Sequence, residues 1–122
     1  MDLNFFDKNG KPIAYTEDGE HIYLFSGTPV AYIYEDAIYS FSGVQLGWFE
    51  DGWVRDLQGQ CVFFTEKASG NGPFKPFKKF LPFKGFKKFL PFKGFRQFKK
   101  FKPFNHNTWS QLSGSLFFKV KN

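Results

Sequence analysis

Phenylalanine occupies every third position from residue 74 to residue 104, eleven times without interruption. A nine-residue unit lies over this period, as in PFKGFKKFL at residues 82–90, and most remaining positions hold Lys, Arg, Pro or Gly. A period of three matches neither the 3.6 residues per turn of an α-helix nor the alternation of a strand. Polyproline II has three residues per turn, so the spacing predicts an extended ribbon with one phenylalanine edge and two cationic edges. We call residues 67–105, which contain it, the Phe/Lys segment.

The two halves of the chain carry opposite charge. Residues 1–66 hold all eleven acidic side chains and only three basic ones, a net charge of −8, whereas residues 67–122 hold fourteen basic side chains and no acid. Opposite blocks in one chain attract each other, and a basic block also marks a surface for an outside anionic partner.

Before the Phe/Lys segment, a motif of the form Gly-x-x-aliphatic-small-aromatic occurs four times. Its copies are Gly10–Tyr15, Gly27–Tyr32, Gly43–Trp48 and Gly59–Phe64. Short aromatic and β-branched runs precede them, and turn residues bound each run, which is typical of strands joined by tight turns. The repeats predict an all-β domain over residues 1–66: a shallow pseudo-fourfold barrel of four β-hairpins with eight short strands.

The remaining chain is expected to complete a single structural domain. Within each motif the aliphatic and aromatic residues share one face of the strand, while the residue between them is small in three copies and Phe63 in the fourth. The aromatic face needs cover from water. We therefore expect the Phe/Lys segment to wrap the barrel, with its phenylalanine edge on those aromatics and its lysines on the acidic turns. Residues 106–122 are expected to form a closing strand, over Leu116–Val120, or an element packed under the repeats.

Three other interpretations of the Phe/Lys segment remain open. It is also suited to an anionic membrane surface, because interleaved Phe inserts at the interface while Lys attracts anionic lipids. Nucleic acid is a weaker alternative, since no RNA- or DNA-binding signature is present, and disorder with an unknown partner is the last. The side chains expected to face an anionic surface are Lys78, Lys79, Lys87, Lys88, Lys99 and Lys100.

Catalytic and metal-binding patterns are not evident in the sequence. His21, His106 and Cys61 have no spacing typical of a nucleophile or a metal site, so neither an enzyme nor a cofactor is expected. One cysteine cannot form an intrachain disulfide. The start has no signal-peptide pattern and no run approaches the length of a membrane span. We expect a monomeric cytoplasmic protein, peripheral at the membrane if the Phe/Lys segment contacts lipid.

The repeats resemble the bacterial four-fold β-flower family. The resemblance rests on GTPVAYIY from Gly27, IYSFSG from Ile38, LGWFEDGWVRD from Leu46 and CVFFT from Cys61. It implies a shallow barrel of β-hairpin petals with a hydrophobic channel, and a role with lipids or other apolar ligands, suggested by shape similarity to Tubby-like C-terminal domains. It implies no active site.

A second resemblance is to choline-binding wall repeats, in which aromatic cages hold quaternary ammonium groups. Gly47-Trp48 and Gly52-Trp53 carry it, although only one repeat has the tryptophan pair and its spacing is shorter. Arg55 occupies the position of Tyr23 and Tyr39 in sister repeats. There it would face a channel and bind an anionic head group or the nearby Asp56, or else it would lie exposed. The expected function is a non-enzymatic binding module for an apolar or amphiphilic ligand in an axial channel, for an anionic membrane, or for both. The alternative is a structural or interaction protein whose aromatics form only its own core. The predicted ligand-binding residues are Tyr23, Tyr39, Trp48, Trp53 and Arg55.

Overall fold

Eight antiparallel strands close into a barrel in chain order in the computed structural model, which describes residues 2–119. The strands are β1 (Leu3–Phe6), β2 (Pro12–Thr16), β3 (His21–Leu24), β4 (Pro29–Tyr34), β5 (Ala37–Tyr39), β6 (Gln45–Glu50), β7 (Trp53–Asp56) and β8 (Cys61–Phe64). Pairing of Phe6 with Phe64 joins β1 to β8. We call the hairpins β1–β2, β3–β4, β5–β6 and β7–β8 petals 1 to 4. The predicted all-β barrel of four hairpins is confirmed.

The barrel interior is filled by one cross-strand pair from each petal. The pairs are Phe5–Ala14, Ile22–Ala31, Ile38–Gly47 and Val54–Phe63. Each pair combines a larger side chain with a smaller one, which lets strands meet near a crowded axis at close packing. Phe63, which breaks the small-residue pattern of the motif, lies opposite the smaller Val54, and its phenyl ring fills this interior.

The C-terminal region forms a 3₁₀ helix over Ser115–Lys119 where a closing strand was the first expectation. The strand-like pairing of this region lies earlier in the chain, where Trp109 forms a parallel bridge with Cys61 of β8, and β8 also pairs with β1. Phe117 instead enters the barrel interior, where it is fully buried and packs edge to face on Phe63 at 5.8 Å between ring centroids. The helix is therefore the second expectation, an element packed under the repeats. We call it the plug; residues 120–122 lie outside the described part.

The Phe/Lys segment crosses one petal every nine residues. Backbone amides of the segment, and of His106 directly after it, donate hydrogen bonds to the carbonyls of the four turn glycines: Lys79 to Gly10 (2.9 Å), Lys88 to Gly27 (2.9 Å), Gln97 to Gly43 (2.8 Å) and His106 to Gly59 (3.1 Å). The nine-residue unit of the segment therefore matches one 16- or 17-residue repeat of the barrel.

The backbones of the segment and the turns approach each other without intervening side chains. Gly27 has φ of +95°, and a Cβ atom on it would lie 1.9 Å from the carbonyl oxygen of Phe86. From the other side, a Cβ atom on Gly85 would lie 2.3 Å from the carbonyl oxygen of Ser26. Both the positive φ and the close contact require glycine at position 27.

The prediction that the phenylalanine edge packs on the barrel is wrong. All eleven phenylalanines of the period are 86% to 102% exposed. We call this circle of eleven side chains around the barrel the phenylalanine ring. The edge is reversed because the segment backbone already contacts the turns and the barrel aromatics already stack on one another, as Tyr15 does on Tyr23 at 5.8 Å. Their ring faces attract cations, so the basic side chains turn inward and the phenylalanines turn outward.

Candidate functional site

The outer wall of the barrel carries four cross-strand pairs at the junctions between petals. The pairs are Tyr15–Tyr23, Tyr32–Tyr39, Trp48–Arg55 and Phe64–Phe6. Three of them consist of two stacked rings, with interplanar angles of 20° to 26°. The third junction has Arg55 in place of a ring, so the wall is aromatic except at this position.

Basic side chains of the Phe/Lys segment lie over these rings. Their distances to the ring centroids are 5.9 Å for Lys78 over Phe6, 4.3 Å for Lys84 over Tyr15, 5.0 Å for Lys87 over Tyr23, 4.4 Å for Lys93 over Tyr32, 6.0 Å for Arg96 over Tyr39 and 5.4 Å for Lys102 over Trp48. Arg96 also lies 3.6 Å from the ring centroid of Tyr34, which is outside these pairs. A cation–π contact of this kind contributes about 0.5–1 kcal/mol at an exposed site. The contacts recur with the nine-residue period and hold the segment around the barrel.

Four of these basic side chains, together with Lys99, meet the acidic turns at the other end of the petals. Lys84 and Lys87 both bind Glu17, Lys93 binds Glu20 (2.8 Å), Lys99 binds Glu35 (2.6 Å) and Asp36 (3.1 Å), and Lys102 binds Glu50. Hydrogen bonds from Lys87 and Lys84 hold the pKa of Glu17 below its usual value. Burial opposes ionisation of Glu50, but hydrogen bonds from Lys102 and Asn105 outweigh it and lower the pKa. The two charge blocks of the chain therefore neutralise each other in part.

Arg55 joins the two ends of the Phe/Lys segment. Its Nη2 donates to the carbonyl of Asn71 (2.7 Å), and its Nη1 donates to the carbonyls of His106 (2.8 Å) and Gly59 (2.9 Å). Arg55 is only 2% exposed, so it neither lies on the surface nor faces a channel, the two settings expected from the sequence. It lies on the outer wall and closes the ring that the segment makes around the barrel.

The other predicted ligand-binding residues lie beneath the segment as well. Tyr23, Tyr39, Trp48 and Trp53 are 1% to 8% exposed, and all four pack on the outer side of the barrel or against the chain that covers it. The axis that a channel would follow is occupied by the core cluster that includes Phe5, Phe63 and Phe117. The structure brings the five residues close to the segment rather than to an axial opening.

The six predicted surface lysines have three kinds of setting. Lys87 and Lys99 are bound to carboxylates of the barrel, which leaves them less free to meet an outside anion. Lys88 donates to the hydroxyl of Thr28 (3.2 Å). Lys78, Lys79 and Lys100 have exposed side chains and belong to none of the ion pairs between residues 2 and 119. The available positive charge is therefore uneven around the ring.

Sequence analysis missed that the phenylalanines face outward. The nine-residue period indicates this outward orientation. Each unit has three basic or polar positions, which correspond to the wall rings, the acidic turns and the turn glycines, whereas no feature of the barrel corresponds to the phenylalanines. Asn105 gives a second indication of this orientation. It stands at the position that Lys78, Lys87 and Arg96 hold in the other nine-residue units, and the wall residue at its junction is the cation Arg55 instead of a ring.

Cys61 and His21 are two of the side chains considered above for nucleophilic or metal-binding chemistry. Burial raises the pKa of the Cys61 thiol to about 11, so it is not a thiolate near neutral pH. His21 is held by the carboxylate of Asp18 (2.7 Å), and no group of His, Cys, Asp and Glu in this range is arranged to hold a metal ion. Within the same residues, no helix has the length and apolar character needed to cross a membrane.

Comparison with known proteins identifies one family. The family model of the 4-fold beta flower protein matches residues 3–118, which span the eight strands, the Phe/Lys segment and nearly all of the plug. The family is not a known enzyme family. No curated protein and no solved structure matches the chain.

Proposed function

The chain belongs to the 4-fold beta flower protein family, and we propose that it is a non-enzymatic module that attaches to anionic lipid membranes through the phenylalanine ring. The observation that carries the proposal is the near-complete exposure of eleven consecutive phenylalanines of the period. A row of eleven exposed aromatic side chains is unusual on a soluble domain and marks an interaction site. Because these rings touch little of the barrel, their apolar area is available to a partner.

The charges that flank the ring favour a lipid surface as this partner. Every phenylalanine of the ring except Phe104 has a basic residue next to it in the sequence, and Lys78, Lys79 and Lys100 have no acidic partner within residues 2–119. A bilayer interface offers an apolar layer beneath an anionic one, and basic residues near it contribute about 1 kcal/mol each. Insertion of a phenylalanine contributes up to about 2 kcal/mol.

Two other partners fit the ring less well. A second copy of the chain would bring two strongly basic segments together, and like charges repel. Single-stranded nucleic acid binds in grooves where bases stack on successive aromatic side chains, whereas this ring lies on the convex outer edge of a segment that encircles a barrel. An anionic lipid surface is therefore the proposed partner, and the test below distinguishes it from the other two.

The test is flotation with vesicles of phosphatidylcholine alone and of phosphatidylcholine mixed with phosphatidylglycerol. The native chain is expected to float with the anionic vesicles at low salt, and less at high salt. Replacement of Phe83, Phe92 and Phe95 by Ser is expected to abolish flotation without lowering the free energy of unfolding, since these side chains are 100% to 102% exposed. Leu116→Ser, which removes an exposed apolar side chain outside the ring, is the matched control and should float like the native chain.

Depth of insertion gives an independent measurement. Phe83→Trp places an indole in the phenylalanine ring, and lipids brominated on the acyl chain should quench its fluorescence. Trp48 and Trp53 are buried, and the signal of the part-buried Trp109 is measured on the native chain and subtracted. Absence of flotation at low salt would sink the proposal. So would oligomers of the native chain that dissociate in the triple Ser variant, or retention of a single-stranded oligonucleotide in preference to anionic vesicles.

A further inference from the structure

Petal 1 carries a cluster of four lysines around its turn. Lys8 and Lys11 flank the turn glycine Gly10, and Lys78 and Lys79 cross the same turn, where the amide of Lys79 donates to the carbonyl of Gly10 at 2.9 Å. All four side chains are exposed, and none belongs to an ion pair between residues 2 and 119. The cluster is a strong concentration of unneutralised positive charge next to the phenylalanine ring.

The one acid within this turn does not neutralise the cluster. Asp7 is mostly buried, and its Oδ1 accepts hydrogen bonds from the backbone amides of Asn9 (2.8 Å) and Lys11 (2.9 Å). Its carboxylate therefore faces the turn backbone and stabilises the turn, rather than meeting the ammonium groups of the lysines.

The sister petals hold other residues at most of the matching positions. Lys8 corresponds to Phe25, Phe41 and Leu57, Lys11 to Thr28, Val44 and Gln60, and Lys79 to Lys88, Gln97 and His106. The turn fold does not require lysine at these positions, because the other petals form the same turn and the same hydrogen bond with other residues. The positive charge of petal 1 is thus a feature that the repeat architecture leaves unexplained.

An apolar groove lies within this cluster. It has a volume of about 400 Å³ and is lined by Lys11, Pro12, Lys79, Phe80 and Pro82, and we call it the first-petal groove. Its size falls in the range of sites for small molecules, about 300–1,000 Å³. Two proline rings and the phenyl ring offer apolar contact, while two lysines offer charge, so the groove matches a ligand with an anionic group next to a hydrocarbon chain.

We propose that the first-petal groove binds a phosphate-bearing lipid. The lipid phosphate lies between the ammonium groups of Lys11 and Lys79, and its acyl chain runs over Pro12, Phe80 and Pro82 towards the phenylalanine ring. Lys8 and Lys78 add long-range attraction. The inference rests on the proposed membrane function, because it names the lipid contacted by the same segment, and it adds that petal 1 meets the bilayer first.

A monomeric probe separates this groove from attachment through the whole ring. Octyl phosphate, kept below its micelle concentration, is titrated into the isotopically labelled chain and followed by NMR. Saturable shifts are expected at residues 11–12 and 79–82, with much weaker shifts for octyl glucoside, which lacks the charge, and for inorganic phosphate, which lacks the chain.

The sister petals supply variants that should fold. Lys11→Thr with Lys79→Gln introduces the residues found at the same positions in petals 2 and 3, and it should weaken octyl phosphate binding about tenfold or more. Lys88→Gln, the matching change in petal 2, is the control and should leave binding unchanged. Conversely, Thr28→Lys should create a second site in petal 2, where Pro29, Lys88, Phe89 and Pro91 already stand at the matching positions.

Each outcome decides between the two proposals. Native affinity for octyl phosphate in the Lys11→Thr, Lys79→Gln variant overturns the groove, as does equal binding of inorganic phosphate. If the native chain floats with anionic vesicles but does not bind octyl phosphate, the groove inference fails and the membrane proposal stands. If it binds octyl phosphate at residues 11–12 and 79–82 but does not float, the membrane proposal fails and the lipid site stands.

Discussion

Arg55 and Asn105 show how a change in the barrel is matched by a change in the segment. In petals 1 to 3 a segment cation lies over a ring of the wall, as Lys87 does over Tyr23. At the junction of petals 3 and 4 the wall itself supplies a cation, Arg55, and the segment holds the uncharged Asn105 at the position of Lys87, where its amide donates to Glu50 (3.1 Å). A lysine at position 105 would repel the arginine, so the two exceptions to the repeat compensate each other.

Arg55→Tyr, which restores the residue of the sister petals, is expected to destabilise the chain by about 2–4 kcal/mol. The reason is that the carbonyls of Asn71 and His106 lose a charged hydrogen-bond donor. Adding Asn105→Lys should recover part of this loss, because the new lysine gains contact with the introduced tyrosine ring and with the Glu50 carboxylate. A double-mutant cycle measured by urea denaturation checks this coupling. Additive effects, or a single variant as stable as the native chain, would contradict the assigned role of Arg55.

The plug is the element on which the barrel interior depends. Four short petals leave space on their axis, and Phe117 fills it from a helix of five residues. The hydroxyl of Ser113 donates to the carbonyl of Val62 (2.8 Å) and accepts from the amide of Lys8 (2.9 Å), so the plug is tied to petals 1 and 4. An apolar ligand can enter this axis only if Phe117 leaves it.

Phe117→Ala is expected to cost about 3–5 kcal/mol of unfolding free energy, because it removes a fully buried ring and leaves a cavity. The neighbouring Leu116 is 56% exposed, so Leu116→Ala should cost less than about 1 kcal/mol and serves as the control. Thermal and urea unfolding of both variants provide the comparison. Similar losses for the two would mean that the helix is held by contacts other than Phe117.

The sequence predicted the strands well and the orientation of the Phe/Lys segment poorly. The strand positions follow from the local alternation of side chains and from the turn glycines, and both recur in the four copies of the motif. The orientation of the Phe/Lys segment depends on which groups of the outer wall remain available for contact. Stacked pairs such as Tyr32 and Tyr39 present ring faces to cations, and this pairing appears only once β4 and β5 are adjacent. The plug is similar: Phe117 follows Gly114 in an unremarkable stretch, and only closure of the barrel shows that the axis needs filling.

At the scale of the whole molecule, the two charge blocks hold the barrel and the segment together. Hydrogen bonds from segment lysines lower the pKa of Glu17 and Glu20, and for Asp36 and Glu50 such bonds outweigh burial and lower the pKa as well. Carboxyl groups with a lowered pKa stabilise the fold above their unfolded pKa values, about 4, and lose this contribution as the pH falls through the folded values.

The free energy of unfolding is therefore expected to be level between about pH 5 and pH 9 and to fall as the pH drops below about 4. Hydrogen bonds to Glu17 raise the pKa of Lys87, and that contribution is lost only as the pH rises above about 10. Urea denaturation across this range measures the profile. Glu17→Gln removes the carboxylate shared by Lys84 and Lys87, so it should show a shallower acid decline. An unchanged decline would place the acid sensitivity elsewhere.

The nine-residue register between the segment and the petals limits how such a chain can change in length. Two repeats run around the barrel side by side: the petals, with 16 or 17 residues each, and the segment units, with nine residues each. Duplicating one petal without duplicating a nine-residue unit would leave one turn glycine without cover from the segment. Inserting three residues into the segment would keep the phenylalanine period but would shift the hydrogen bonds to the turns that follow. Growth of the barrel therefore requires two coordinated duplications at distant points of the gene, which favours a fixed number of petals over gradual enlargement.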